Sequence, residues 1–221
     1  MRDHATIPPE RGIFLAETWR MAPGVCSFVS DAFYDGRLGA HPDTVKRQLD
    51  TVLHNPANGV ALSSEGIVLV AAEHSRCSQK SREEGEIIAS LYDALLQGSF
   101  HDKDGQKRSV TQEDILVVSP YNMQVNLLEG MLPVGARVGT VDKFQGQEAP
   151  VVFFSMATSS AEDLPRNIEF LFSKNRLNVA ISRAQCLAIV LANPLLAEVP
   201  CNTLEQMRLV NTFCRLCAYA A

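Results

Sequence analysis

No run of apolar residues in this 221-residue chain approaches the roughly 18 needed to span a bilayer. Met1 to Glu10 hold no apolar stretch of the signal-peptide kind, so a cytoplasmic location is expected. Positive charge is not in excess: 20 Lys and Arg stand against 25 Asp and Glu, a net charge of -5. That excludes a broad basic patch, but not a protein that grips a strand with backbone groups and a few side chains. Cysteine is too sparse, six in all, for a disulfide scaffold. Cys214 and Cys217 form the only C-x-x-C pair, and no second pair stands ready to complete a zinc site. No metal is therefore expected, and the two thiols are expected to share one buried helix face. Gly-Lys and Asp-Glu dipeptides are both missing, and with them G-x-x-x-x-G-K-[ST] and a paired acidic segment. Those parts hold ATP·Mg²⁺ in P-loop enzymes, so the chain alone is not expected to hydrolyse ATP.

What is present is 46% hydrophobic and enough for one core. Apolar β-branched runs alternate with helical patterns. Strands are expected at Ile67–Ala71, Ile115–Val118, Arg137–Val141, Val151–Ser155 and Leu187–Leu191. Helices are expected at Ser81–Gln97, Asn122–Leu132, Asn175–Ala184 and Thr203–Tyr219. Continuous apolar strands are buried on both faces, which points to an α/β fold with a mostly parallel, helix-covered sheet. Ligands in such sheets gather beyond the carboxyl ends of the strands. Gly39 to Gly66 and Phe100 to Ser109 show no period and are expected as loops or insertions, with a turn at Asp104-Gly105.

Four segments carry chemistry. Thr18-Trp19-Arg20-Met21-Ala22-Pro23 sets an aromatic beside an arginine, which suits a base and a phosphate, or simply a packed Trp before a helix. Ser119-Pro120-Tyr121-Asn122-Met123-Gln124 joins a strand to a helix, where unpaired N–H groups suit phosphate; an ordinary cap with a buried Tyr fits equally. Gly139 to Glu148 is a dense polar cluster between two strands: Thr140 can donate to a phosphate oxygen and Glu148 can accept from a ribose hydroxyl. In Asn175 to Ala184, the spacing puts Arg176, Ala180 and Arg183 on one helical face, for an anion or for ion pairs.

Taken in order, these segments resemble the C-terminal half of superfamily 1 helicases, in the 5′-to-3′ branch that includes the nonsense-mediated-decay helicase. Residues 18–23 resemble motif IV, with Trp19 for Tyr and Ala22 for His. Residues 119–124 resemble the T-P-Y-x-x-Q segment, 138–148 are similar to motif V almost letter for letter, and 176–184 are similar to motif VI.

The resemblance implies a second RecA-like domain over residues 1–221, a single-domain three-layer sandwich of the P-loop NTPase type, whose first RecA-like domain is absent. It implies ATP with Mg²⁺ as cofactor, bound mainly by that first domain. The implied partners are the first domain and single-stranded nucleic acid, DNA favoured over RNA. Arg20 and Arg183 would reach the γ-phosphate as arginine fingers. Trp19 would contact adenine, Glu148 the ribose and Gly146 the nucleotide, with Arg176 also on the nucleotide side. Ser119, Pro120, Tyr121, Thr140 and Val141 would hold the nucleic-acid backbone, and Gln145 would couple the two sites. Both guanidinium groups must then project from one side of the sheet; an interior position for either counts against the pair. A stand-alone binding or regulatory module derived from a helicase half is the alternative, and the chain reads as a fragment, a split gene or a piece cut at the inter-domain linker. An unrelated α/β nucleotide enzyme would need a Gly-rich loop after the first strand, and none is present.

Overall fold

The computed structural model describes residues 12–50, 53–54, 61–144, 146–165 and 167–220. The chain opens with β1 (Glu17–Thr18), α1 (Pro23–Phe33), β2 (Gly39–Ala40), β3 (Gln48–Leu49), β4 (Leu53–His54) and β5 (Ala61–Leu62). It continues through β6 (Gly66–Ala71), α2 (Arg82–Leu96), β7 (Ser99–His101), β8 (Lys107–Ser109), β9 (Ile115–Ser119) and α3 (Asn122–Met131). Then follow β10 (Arg137–Thr140), β11 (Ala149–Ser155), α4 (Ile168–Leu171), α5 (Lys174–Ile181), β12 (Ala184–Ala192) and α6 (Leu204–Tyr219).

The long apolar strands form one sheet in the order β10-β9-β11-β12-β6, with every neighbouring pair parallel. Both faces are covered, and alternate residues divide between them. Ile115, Val117, Phe153 and Ile189 pack beneath α2 and α3 with Ile88, Leu91, Val125 and Leu128. Leu116, Val118, Phe154 and Val190 pack beneath α1, α5 and α6 with Val25, Leu177, Phe213 and Leu216. The result is the three-layer α/β sandwich that the continuous apolar strands require. Cys214 and Cys217 sit half-buried against the second of these clusters.

Several boundaries and elements differ from the sequence expectation. Helix α1 matches the helix start allowed for after Trp19, although no bounds were expected for it; Pro23 at its first turn presets φ and needs no hydrogen-bond partner there. Helix α5 stops at Ile181 rather than Ala184: the Ser182 N–H makes the last i→i−4 bond, to the Asn178 carbonyl at 2.8 Å, and the Arg183 N–H turns instead to the Ala180 carbonyl at 3.4 Å. Strand β12 can therefore begin at Ala184. The two expected loops are not structureless where they are described; residues 51–52 and 55–60 of the first lie outside the described residues. Segment 39–66 supplies β2, β3 and a 3₁₀ turn over Pro42–Lys46, and β3 joins β7 and β8 in a small antiparallel sheet.

That small sheet is pinned to the main one by Asp114, a buried carboxylate at the foot of β9. Burial alone would raise its pKa. The paired Arg108 guanidinium, and the Thr111 N–H and hydroxyl at 2.8 Å each, outweigh burial and hold it below the usual carboxylate range. A lowered folded-state pKa contributes stability above the unfolded value of about 3.9, lost as pH falls through the folded value. Asp114→Asn is therefore expected to destabilise the domain at neutral pH and to flatten its acid-unfolding profile below about pH 4. Denaturant melts across pH check this; an unchanged acid limb would show that Asp114 contributes nothing to it.

Candidate functional site

Two groups of side chains stand at opposite ends of the sheet. The first lies at the amino ends of β11 and β12. Arg20 follows β1, Glu148 directly precedes β11, and Ser182 and Arg183 directly precede β12. The segment holding Arg20 is laid along β12 by Ala22, whose N–H donates to the Gln185 carbonyl at 2.7 Å. Arg47 donates to the Arg20 carbonyl and fixes the backbone from the other side.

Arg20 Nε pairs with the Glu148 carboxylate, and Nη1 donates to the Ser182 carbonyl at 3.2 Å. Glu148 also accepts from Gln185 Nε2 at 2.8 Å. Both partners remain more than a third exposed, at 39% and 38% of their side-chain surface. They border an open cleft of about 600 Å³ that Trp19, Met21 and Tyr34 also line. Trp19 itself is 62% exposed.

The second group lies at the carboxyl ends of β9 and β10. Pro120, Thr140, Asp142, Phe170 and Arg176 line a polar cavity of about 290 Å³ there. Arg176 starts α5; its Nη1 donates to the Phe170 carbonyl at 3.2 Å, and its guanidinium lies 4.1 Å from the centre of the Phe170 ring. Tyr121 stacks on the same ring, with centroids 5.6 Å apart.

Beneath this cavity is a buried polar network. The Glu84 carboxylate accepts from the Ser155 hydroxyl at 2.5 Å, from the Ala157 N–H at 3.0 Å, and lies 3.1 Å from His74 Nε2. Gln124 donates to the Ser155 hydroxyl and to the Ser81 carbonyl, both at 3.0 Å.

Several expectations need correction. Arg183 does not project: it is 4% exposed, and its guanidinium donates to the Val141 and Gln147 carbonyls at 3.0 and 3.1 Å. The condition for a pair of projecting fingers thus fails at Arg183. The cause lies in the connection between β10 and β11, whose Val141 and Gln147 carbonyls face the side chain. Burial, with the charge of Arg20 added, pushes the Arg183 guanidinium below the ordinary arginine value.

Arg176 lies in the first turn of α5 and Arg183 two residues beyond its end, yet both line one further cavity of about 210 Å³ with Val141, Asp142 and Val179, as a shared face requires. Arg176 also lines the cavity of the second group, away from Trp19, Arg20 and Glu148. Ser119 is fully buried, and its hydroxyl accepts from the Tyr121 N–H at 3.4 Å, so it is not presented to a strand. Tyr121 and Val141 are 4% and 3% exposed; the Tyr packs, and only the Val carbonyl is in use. Nor do the exposed groups all sit beyond carboxyl ends: Trp19, Arg20 and Glu148 gather at amino ends. Gly146 is exposed at φ 81°, a conformation that demands glycine. Gln145 lies outside the described residues. Sequence reading also missed Phe170, His41 and the Glu84 network, of which only Gln124 falls in a recognisable motif.

Comparison with known proteins agrees with this class of α/β domain. A family model described as an AAA domain matches residues 2–195. The chain is 32% identical over 178 residues to the DNA polymerase alpha-associated DNA helicase A of Schizosaccharomyces pombe, covering 77% of this chain and 26% of that protein. It is 28% identical over 198 residues to the Danio rerio protein named "Putative helicase mov-10-B.1", covering 82% and 19%. It is 30% identical over 186 residues to the DNA-binding protein SMUBP-2 of Rattus norvegicus, covering 77% and 17%. The chain thus belongs to the AAA-domain family, within the superfamily 1 helicases of the branch related to the nonsense-mediated-decay helicase. It spans only 17% to 26% of the length of these three relatives.

Proposed function

We propose that this domain forms one wall of an ATP site and part of a track for single-stranded nucleic acid in an ATP-driven motor. The observation that carries the reading is the meeting of Arg20, Glu148 and Ser182. Motifs IV, V and VI each supply one of these residues, and the three converge beside an exposed Trp19.

The residues present fit ATP. Trp19 offers an aromatic face to adenine. Glu148 offers an acceptor to a ribose hydroxyl. Arg20 keeps N–H groups to spare after its two present bonds, enough for phosphate oxygens. Gly146 would let the nucleotide lie close to the backbone. Bound ATP supplies the phosphoryl-transfer chemistry, and its Mg²⁺ would be held by the first RecA-like domain, whose Walker segments this sequence lacks.

Arg183 is better read as a clamp that ties the 141–148 segment to the start of β12. At the opposite end of the sheet, Arg176 and Thr140 would meet the strand phosphates and Pro120 would pack against the sugars, while Ser119, Tyr121 and Val141 shape the cavity from behind. Gln145 is proposed, from the family resemblance alone, to couple the two ends. DNA is the proposed strand. The names of the relatives include both DNA and RNA helicases, so both strands belong in the test.

The purified chain is expected to show no ATP turnover. Mixed with a first RecA-like domain carrying both Walker segments, it is expected to hydrolyse ATP, faster when an oligonucleotide is added. Turnover by the chain alone at the rate of the mixture would overturn the reading.

A further inference from the structure

We infer that His41 is a positioning residue that backs Trp19, so that a purine ring meets a rigid platform on the outer indole face. This rests on reading the cleft as a nucleotide site. Trp19 and His41 are stacked, with ring centroids 3.2 Å apart and planes 21° from parallel. The two rings differ sharply in exposure: Trp19 is 62% exposed, whereas the His41 side chain is only 19% exposed. The imidazole therefore covers one indole face and leaves surface for a ligand elsewhere on the ring.

The stack is built from backbone upward. Strands β1 and β2 pair in parallel, with Thr18 opposite Ala40, so the next residue of each strand, Trp19 and His41, emerges side by side. The His41 N–H donates to the Thr18 carbonyl at 2.9 Å and locks that register. His41 is also the N-cap of the Pro42–Lys46 turn: its Nδ1 accepts from the Asp43 N–H at 3.2 Å, which fixes the ring. The same turn ends at Arg47, which holds the Arg20 carbonyl. One short segment thus sets both the aromatic face and the backbone of the arginine beside it.

An aromatic platform binds best when it is already ordered, because a free ring loses rotamer freedom on stacking. A backed indole escapes that loss. It favours a large flat base over a small one, since stacking grows with overlap. The ligand class is therefore a purine nucleoside triphosphate rather than a pyrimidine one.

Trp19 is the only tryptophan in the chain, so its fluorescence reports on this stack directly. ATP titrated into the purified chain is expected to change Trp19 emission, with CTP binding markedly weaker. His41→Asn keeps a capping acceptor but removes the ring; His41→Phe keeps a ring but loses the cap. The Asn variant is expected to bind ATP about tenfold more weakly, with red-shifted emission, and the Phe variant to recover most of the affinity. Unchanged ATP affinity in His41→Asn, or loss in both variants alike, overturns the positioning role while leaving the nucleotide site standing. No response to any nucleotide overturns the site itself, and this inference with it.

Discussion

Replacing Arg20 with alanine is expected to slow ATP hydrolysis by the two-domain enzyme about 10³–10⁵-fold, the range found for a cation acting on the phosphoryl-transfer transition state. The effect should fall on turnover and not on folding. Arg20 is a partly exposed side chain, its carboxylate partner Glu148 is equally exposed, and a surface pair of this kind contributes little to stability. Its present bonds occupy Nε and Nη1, so the remaining N–H groups can meet an anion without breaking them. Arg183→Ala separates the two arginines. That side chain is interior and satisfies two backbone carbonyls, so its loss is expected to lower the melting temperature of the isolated chain. Thermal melts and steady-state ATPase rates on both variants make the comparison. If Arg183→Ala cuts turnover as far as Arg20→Ala does, with its melting temperature unmoved, Arg183 acts on the nucleotide and the clamp assignment is wrong.

The two arginines also mark where sequence stops being informative. The α/β sandwich was legible because fully buried parallel strands have no polar face to hide: Ile115–Ser119, Ala149–Ser155 and Ala184–Ala192 read as apolar runs. The residues of the amino-end group were legible because three motifs name them. Burial of individual motif residues was not. Arg183 looks in sequence like a group free to bind, and it faces inward because it meets the Val141 and Gln147 carbonyls; Ser119 is buried as the last residue of β9, and Tyr121 packs on Phe170, which no motif names. The helix end was not legible either: α5 closes at Ile181, with Ser182 as its cap, three residues short of the expected Ala184, so Arg183 stands off the helix while still sharing a cavity with Arg176. His41 was out of reach for a different reason. Its partner Trp19 is brought beside it by two-residue strands, too short to leave any periodic signal.

Glu84→Ala is expected to cost about 3–5 kcal/mol of folding stability, the usual result of removing one member of a buried charged or strongly hydrogen-bonded group. Glu84 is fully buried in the first turn of α2, yet it sits beneath the carboxyl ends of β6, β9 and β11. Its carboxylate is the acceptor for the Ser155 hydroxyl and the Ala157 N–H, and His74, whose side chain is 0% exposed, leans on it from the other side. Alanine leaves those donors buried without acceptors and opens a cavity. Ala157 adds to the cost, because it holds a left-handed backbone at φ 58°, which a residue with a side chain adopts only when its surroundings impose it. The loss should also reach function. Ser155 is joined to Gln124, and Gln124 sits in the turn of α3 that follows Pro120 and Tyr121, so the cavity around Arg176 and Thr140 should loosen. Glu84→Gln keeps one carbonyl acceptor and is expected to cost less than alanine. Urea unfolding of the three proteins gives the ranking directly. A loss below about 1 kcal/mol in Glu84→Ala would mean that the network is relaxed by water or by backbone movement, and that the strand-end cavity does not depend on it.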